Sequence, residues 1–159
     1  MGDLVEPPRR IIAADGTPQA VVWCEQWLVG ASMIAAFADV APLPAIVTDA
    51  DFHDETLGTI WRAVCRVIAD GAEPTLPAVA GWLEWSETID GIGGETRLAT
   101  LAFASGAFLY AGAVALAEHA RIVHEWGDKR RALDGLSKAA AAVYRKAPGA
   151  VDHSNEMVI

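Results

Sequence analysis

The stretch TDADFHDETLGTIWRAV, from Thr48 to Val64, decides the best-defined element of this chain. Four carboxylates lie between Asp49 and Glu55, and a run of mostly apolar side chains follows them. The apolar positions recur at the spacing of one helix face, and they are Leu57, Ile60, Trp61, Val64 and Ile68. This spacing predicts an amphipathic helix, which Gly71 ends because glycine readily adopts the left-handed conformation.

The acidic cluster at the start of this stretch has two interpretations. Carboxylates directly before a helix cap its free N–H groups and complement its dipole. A cation-binding loop is the alternative, since Asp49, Asp51 and Asp54 loosely resemble a calcium-binding spacing. However, His53 occupies a ligand position, and no glutamate closes the loop at its twelfth position. We therefore predict that the cluster starts a helix and holds no metal.

The composition is typical of a folded, helical protein. The chain has 159 residues, about one domain, of which 53% are hydrophobic and 21% are charged. Alternating β-branched residues are scarce, which favours an all-α fold. The net charge of −9 disfavours binding to phosphate backbones, so no direct nucleic-acid contact of note is expected. The sequence shows neither a signal peptide nor an apolar run long enough to span a bilayer, which predicts a cytoplasmic protein without a membrane partner.

The chain divides into four predicted segments. They are a flexible N-terminal arm (1–17), a compact helical head (18–105), a long helix or helical hairpin (106–147) and a C-terminal tail (148–159). The boundary between arm and head is a helix start, with Thr17 as the capping hydroxyl and Pro18 at the first helical position.

Two heptad-like seams run along the third segment. The first comprises Leu109, Ala113, Leu116, Ala120 and Val123, and the second comprises Ile122, Trp126, Leu133, Leu136, Ala140 and Val143. They are out of phase by one residue near Gly127-Asp128, where either a tight turn makes a hairpin or a continuous helix presents the seams to two partners. We predict self-association and partner binding through this segment, by Leu116, Val123, Trp126, Lys129, Arg130, Leu133 and Leu136. The alternative is that the seams fold back onto the head of the same chain.

No arrangement of residues in the sequence predicts catalysis, a cofactor or a metal site. The glycine-rich DGIGGE loop, residues 90–95, lacks the lysine of a Walker phosphate loop, so no nucleotide binding is predicted. His119 and His124 lie five residues apart, which is the wrong spacing for a helical zinc pair and predicts two solvated histidines. Cys24 and Cys65 are predicted to be buried thiols rather than a disulfide.

Four motifs in order carry a resemblance to a known family. They are PQAVVWCEQWLVGASM (18–33), DFHDETLGTIWRAVCRVIADGAEPTL (51–76), GGETRLATLA (93–102) and AEHARIVHEWGDKRRALDGL (117–136). Together they resemble the amino-terminal domain of DnaB-type replicative DNA helicases over roughly Pro18 to Ala147. The sequence departs from that family at three positions, since Leu57, Thr75 and His119 replace its usual histidine, aspartate and tyrosine. The 159 residues contain no Walker loop, so we expect either a domain excised from a longer helicase or a standalone relative without the ATPase motor.

The resemblance implies a helical head with a carboxy-terminal helical hairpin that assembles into a collar of paired domains. It also implies a docking platform for primase and helicase loader, without catalytic residues of its own. The resulting expectation is a non-catalytic protein-interaction domain in DNA replication, with a second copy, a primase, a loader or a replicative helicase as partner. Three alternatives stay open: a standalone phage or plasmid modulator of a host helicase or primase, a small helical DNA-binding regulator, and a small enzyme built around Glu25 or His119.

Overall fold

The computed structural model describes residues 16–104 and 112–146, and these residues contain α-helices and no β-strand. The predicted all-α fold is therefore confirmed. The helices are α1 (Gln19–Ser32), α2 (Phe37–Val40), α3 (Glu55–Ala69), α4 (Leu76–Trp85), α5 (Gly94–Ala99) and α6 (Ala113–Lys146). Short 3-10 turns lie at Leu43–Ala45, Asp49–Asp51 and Asp90–Ile92, and one π-helical turn follows α5 at Thr100–Ala104. The predicted tail, Leu109 and most of the predicted arm lie outside the described residues.

The start of α1 differs from the prediction by one residue. The helix begins at Gln19 with Pro18 as its N-cap residue, in an extended conformation and without a side-chain cap. Thr17 was expected to cap this helix at the end of a flexible arm, but its side chain is fully buried. The Pro18 carbonyl instead begins the helical hydrogen bonding, by accepting from the Val21 N–H at 2.9 Å.

Helix α3 supplies the centre of the hydrophobic core, as its apolar spacing predicts. Four of the five predicted residues are 0% exposed, and Ile68 packs partly buried against them; the four are Leu57, Ile60, Trp61 and Val64. The Trp61 Nε1–H donates a hydrogen bond to the Val47 carbonyl at 3.1 Å, so the only polar atom of this buried ring is satisfied. Gly71 has φ +81° just after the helix, and the predicted left-handed stop is confirmed.

The acidic cluster before α3 caps helical turns, which confirms the capping interpretation. Asp54 is the N-cap residue of α3, and its Oδ1 accepts from the Thr56 N–H at 2.8 Å. Asp51 forms a capping box with Thr48 around the preceding 3-10 turn. Asp49 has a third role, since its Oδ2 lies 2.7 Å from the Arg62 guanidinium about two turns into the helix. These three aspartates thus have different partners, in α3 and in the 3-10 turn before it.

Asp54 gives stability to the fold only while it is ionised, and this predicts a pH dependence. Partial burial raises the pKa of its carboxyl, but hydrogen bonds from Thr56 and Leu57 and the charge of Arg97 outweigh burial and hold that pKa below its ordinary 3.8. A lowered folded-state pKa stabilises the fold above the unfolded-state pKa, and the contribution disappears as the pH falls through the folded value. We expect Asp54→Asn to lower the thermal midpoint at about pH 6, and the difference from wild type to shrink as the pH falls below 3.8.

A pH series of thermal unfolding curves checks this expectation. The matched control is Asp70→Asn, because Asp70 forms an exposed ion pair 3.8 Å from Arg66 at the other end of α3. Exposed ion pairs contribute little, so the control should follow wild type at every pH. A midpoint difference for Asp54→Asn that does not shrink at any pH below 3.8 at which wild type still folds would contradict the role of the ionised carboxylate.

The described chain divides into two units within α6. The residues up to Gly127 form one compact unit, and those from Asp128 form a second. The boundary predicted after residue 105 therefore lies too early, because Leu116, Ala120 and Val123 of α6 belong to the core of the first unit. Helix α6 runs without interruption from Ala113 to Lys146. Of the two alternatives for Gly127-Asp128, the tight turn is thus wrong and the continuous helix is present.

Candidate interaction surfaces

The first predicted seam is an internal contact of the first unit rather than a surface. Leu116, Ala120 and Val123 are each 0% exposed and belong to the core cluster. The prediction that Leu116 and Val123 bind a partner is therefore wrong, because the same chain already covers them. A heptad spacing shows only that a helix face is apolar, and it does not show which molecule covers that face.

His124 and Asp51 join α6 to the loop before α3, a contact that the sequence did not reveal. The Asp51 side chain is 1% exposed, and its Oδ2 lies 3.0 Å from His124 Nδ1. Gly127, one turn further along α6, passes so close that a Cβ atom there would lie 2.7 Å from the Asp51 Cα. The prediction that His124 is merely solvated is therefore wrong, and the glycine is the one signal in the sequence that could have indicated this close approach.

His119 also contacts the body of the first unit. Its ring stacks on Trp27 of α1 with the centroids 4.2 Å apart, and its Nδ1 lies 2.7 Å from the Ala115 carbonyl. The stacked pair lines a groove of about 520 Å³ beside Trp23, whose side chain is 63% exposed. The described residues that line this groove include one histidine and one thiol but no carboxylate.

The surroundings of Cys24, Cys65 and Glu25 favour a structural role for each of them. Burial, reinforced by the charge of Glu25, raises the pKa of the Cys24 thiol, and burial together with Asp49 raises that of Cys65 to about 11. Both thiols are therefore protonated at neutral pH, which makes them poor nucleophiles. Glu25 is fully buried, and its Oε1 accepts a hydrogen bond from the His53 backbone N–H. This bond joins α1 to the loop before α3, so the structure gives Glu25 a positioning role.

The second unit carries exposed residues of the second seam and, next to Val143, the exposed Tyr144. Four large apolar side chains of α6 are 61–70% exposed, and we name this set the α6 face: Leu133, Leu136, Val143 and Tyr144. Lys129 is exposed and Arg130 half-exposed in the same unit, whereas Trp126 is half-buried in the first unit. No helix of the described residues is long and apolar enough to cross a membrane.

Comparisons with known proteins agree with this fold. The family model for the DnaB-like helicase N terminal domain matches residues 17–125, more than half of the chain. The crystal structure of the N-terminal domain of DnaB helicase from Mycobacterium tuberculosis has the same fold, with a TM-score of 0.67 and 20% sequence identity. That similarity covers 86% of this chain and 95% of the other. No curated protein sequence matches the chain. The chain therefore belongs to the DnaB-like helicase N-terminal domain family.

Proposed function

We propose that this helicase-associated domain is a non-catalytic interaction domain of DNA replication, which self-associates and docks a primase, a helicase loader or a replicative helicase in the cytoplasm. The observation that carries this proposal is the α6 face, because Leu133 and Leu136 are 61% and 68% exposed on one side of a helix. Membership of the DnaB-like family supports the link to replication.

The spacing of the α6 face supports a helical partner. Leu133, Leu136, Val143 and Tyr144 recur at three and seven or eight residues, which is the spacing of one helix face. Four large side chains exposed together form a contiguous apolar stripe, and such stripes mark interaction sites. A second copy of α6 would present the same stripe, so the two faces are complementary. We also keep three residues outside the α6 face as proposed partner contacts: Trp126, Lys129 and Arg130.

The double variant Leu133→Asp with Leu136→Asp tests self-association. We expect wild type to sediment as a dimer or larger species at tens of micromolar, and the double variant to sediment as a monomer. Its helical circular dichroism should stay near that of wild type, because neither leucine is buried in its own chain. The matched control is Gly135→Asp with Ala142→Asp, which adds the same charge to the same helix at positions that are not three or four residues from any member of the α6 face.

The control should still associate. A monomeric wild-type chain, or a double variant that associates as strongly as wild type, would contradict self-association through the α6 face. Docking is tested separately, by titrating a purified replicative primase and helicase loader of the same organism into wild type and into both variants. If neither the primase nor the loader bound wild type or either double variant, docking would be contradicted, whereas the sedimentation result would still stand.

A further inference from the structure

The end of α4 carries an exposed tryptophan supported by a second one. Trp85 is 80% exposed, which makes it the most exposed large apolar side chain in the described part of the chain. Its ring lies 6.3 Å from that of Trp82 at an angle of 50°, and Trp82 packs against the hydrophobic core. The core thus holds the inner ring in place beneath the outer one. Tryptophan is among the side chains most enriched at binding hot spots, so this pair suits a partner contact.

The sequence around this pair carries charge of one sign only. Residues 73–95 contain five carboxylates and no lysine, arginine or histidine. Glu84 precedes Trp85 and Glu87 follows it two residues later, and both carboxylates are exposed. Glu87 also lines a groove of about 340 Å³ together with Glu55 of α3. An exposed indole that carboxylates flank in the sequence suits a guanidinium group, which stacks on an aromatic face and pairs with a carboxylate.

Glu87 occupies a left-handed backbone position, which glycine adopts more readily than a residue with a side chain. Helix α4 ends with a backbone hydrogen bond from Thr88 N–H to the Leu83 carbonyl, and α3 ends with the same bond between Ala72 and Val67. In both places the residue just before the donor has a left-handed backbone. This residue is Gly71 after α3 (φ +81°) but Glu87 after α4 (φ +59°). A side chain makes this conformation less favourable than glycine does. The carboxylate therefore occupies a position that backbone stability alone would give to glycine.

We propose that Trp82, Glu84, Trp85 and Glu87, the α4 patch, form a docking surface for a basic, arginine-containing segment of a partner protein. The two tilted indoles would contact the guanidinium planes, and Glu84 and Glu87 would pair with their charge. The inference rests on the docking part of the proposed function and names the chemistry of the partner. It is independent of self-association through the α6 face.

The test uses a labelled oligopeptide of alternating arginine and alanine, titrated with the full chain and followed by fluorescence anisotropy. We expect Trp85→Ala to weaken binding roughly 3- to 10-fold through the lost cation–π contact. Glu84→Gln with Glu87→Gln should weaken it by about the same factor through the lost charge pairs. The matched control is Glu118→Gln with Glu125→Gln on α6, which changes the net charge equally at two exposed carboxylates. Its affinity should equal that of wild type.

Glu87→Gly separates a binding role from a structural one. We expect this variant to lose affinity for the peptide while its thermal midpoint stays equal to that of wild type or rises, because glycine relieves the left-handed conformation. If Glu87 served only the stability of the fold, Glu87→Gly would lower the thermal midpoint and leave the affinity for the peptide unchanged. That result would overturn the proposal.

Two further outcomes would overturn the α4 patch. The control pair weakening binding as much as the patch pair would show that net charge alone attracts the peptide. If Trp85→Ala were monomeric where wild type associates, and its affinity for the peptide were unchanged, a second copy of the chain would cover the tryptophan. Repeating each titration in the Leu133→Asp, Leu136→Asp background keeps failure of the patch distinguishable from failure of self-association.

Discussion

Trp61→Ala is expected to lower the free energy of unfolding by about 3–5 kcal/mol, the range for emptying a buried aromatic site. Trp61 is 0% exposed at the centre of α3, so its removal leaves a cavity that the surrounding core fills only in part. The change also removes the Nε1–H donor of the Val47 carbonyl and the ring contact with Phe52, whose centroid lies 5.9 Å away. Both losses act in the same direction as the cavity.

Urea unfolding followed by circular dichroism measures this effect. Trp85→Ala is the matched control, since it removes the same ring from a site that is 80% exposed. Exposed substitutions usually change stability by less than about 0.5 kcal/mol, so the control should unfold at nearly the urea concentration of wild type. Equal losses from the two substitutions would show that Trp61 does not lie at the centre of the core.

Gly127→Ala is expected to destabilise the first unit by about 1–3 kcal/mol, the usual cost of forcing extra atoms into a packed site. The new Cβ would lie 2.6 Å from Asp51 Oδ1 and 2.7 Å from Asp51 Cα. Rotation of the Asp51 side chain cannot relieve the second contact because Cα is a backbone atom. The helix must therefore move away from the loop, which breaks the 3.0 Å contact between His124 and Asp51.

Gly135→Ala is the control in the same helix, because a Cβ at this position meets no atom within 4 Å. Alanine favours a helix interior over glycine by up to about 1 kcal/mol, so this change should raise the helicity of α6 or leave it unchanged. The two glycine substitutions should thus have opposite effects on thermal unfolding. If both raised the midpoint equally, α6 would not approach Asp51 as the structure shows.

Local signals in the sequence were sufficient to place α3 and its ends. The core stripe that includes Leu57 and Val64, the capping role of Asp54 and the stop at Gly71 all depend on neighbours within one or two helical turns. Such contacts leave a periodic pattern in the sequence, because residues three or four apart share a helix face. The motif order likewise indicated the DnaB-like family, which the family model then matched.

The tertiary structure alone decided which apolar seam is covered and which is not. Val123 and Leu133 belong to similar heptad patterns, yet Val123 is 0% exposed and Leu133 is 61% exposed. The contact between Asp51 and His124 joins residues 73 positions apart, so no local spacing in the sequence indicates it. Periodicity records that a side chain avoids water, whereas the identity of its neighbour depends on how distant segments pack. The sequence therefore determined the helices, and the packing of α6 on the loop before α3 determined which side chains of that helix remain exposed.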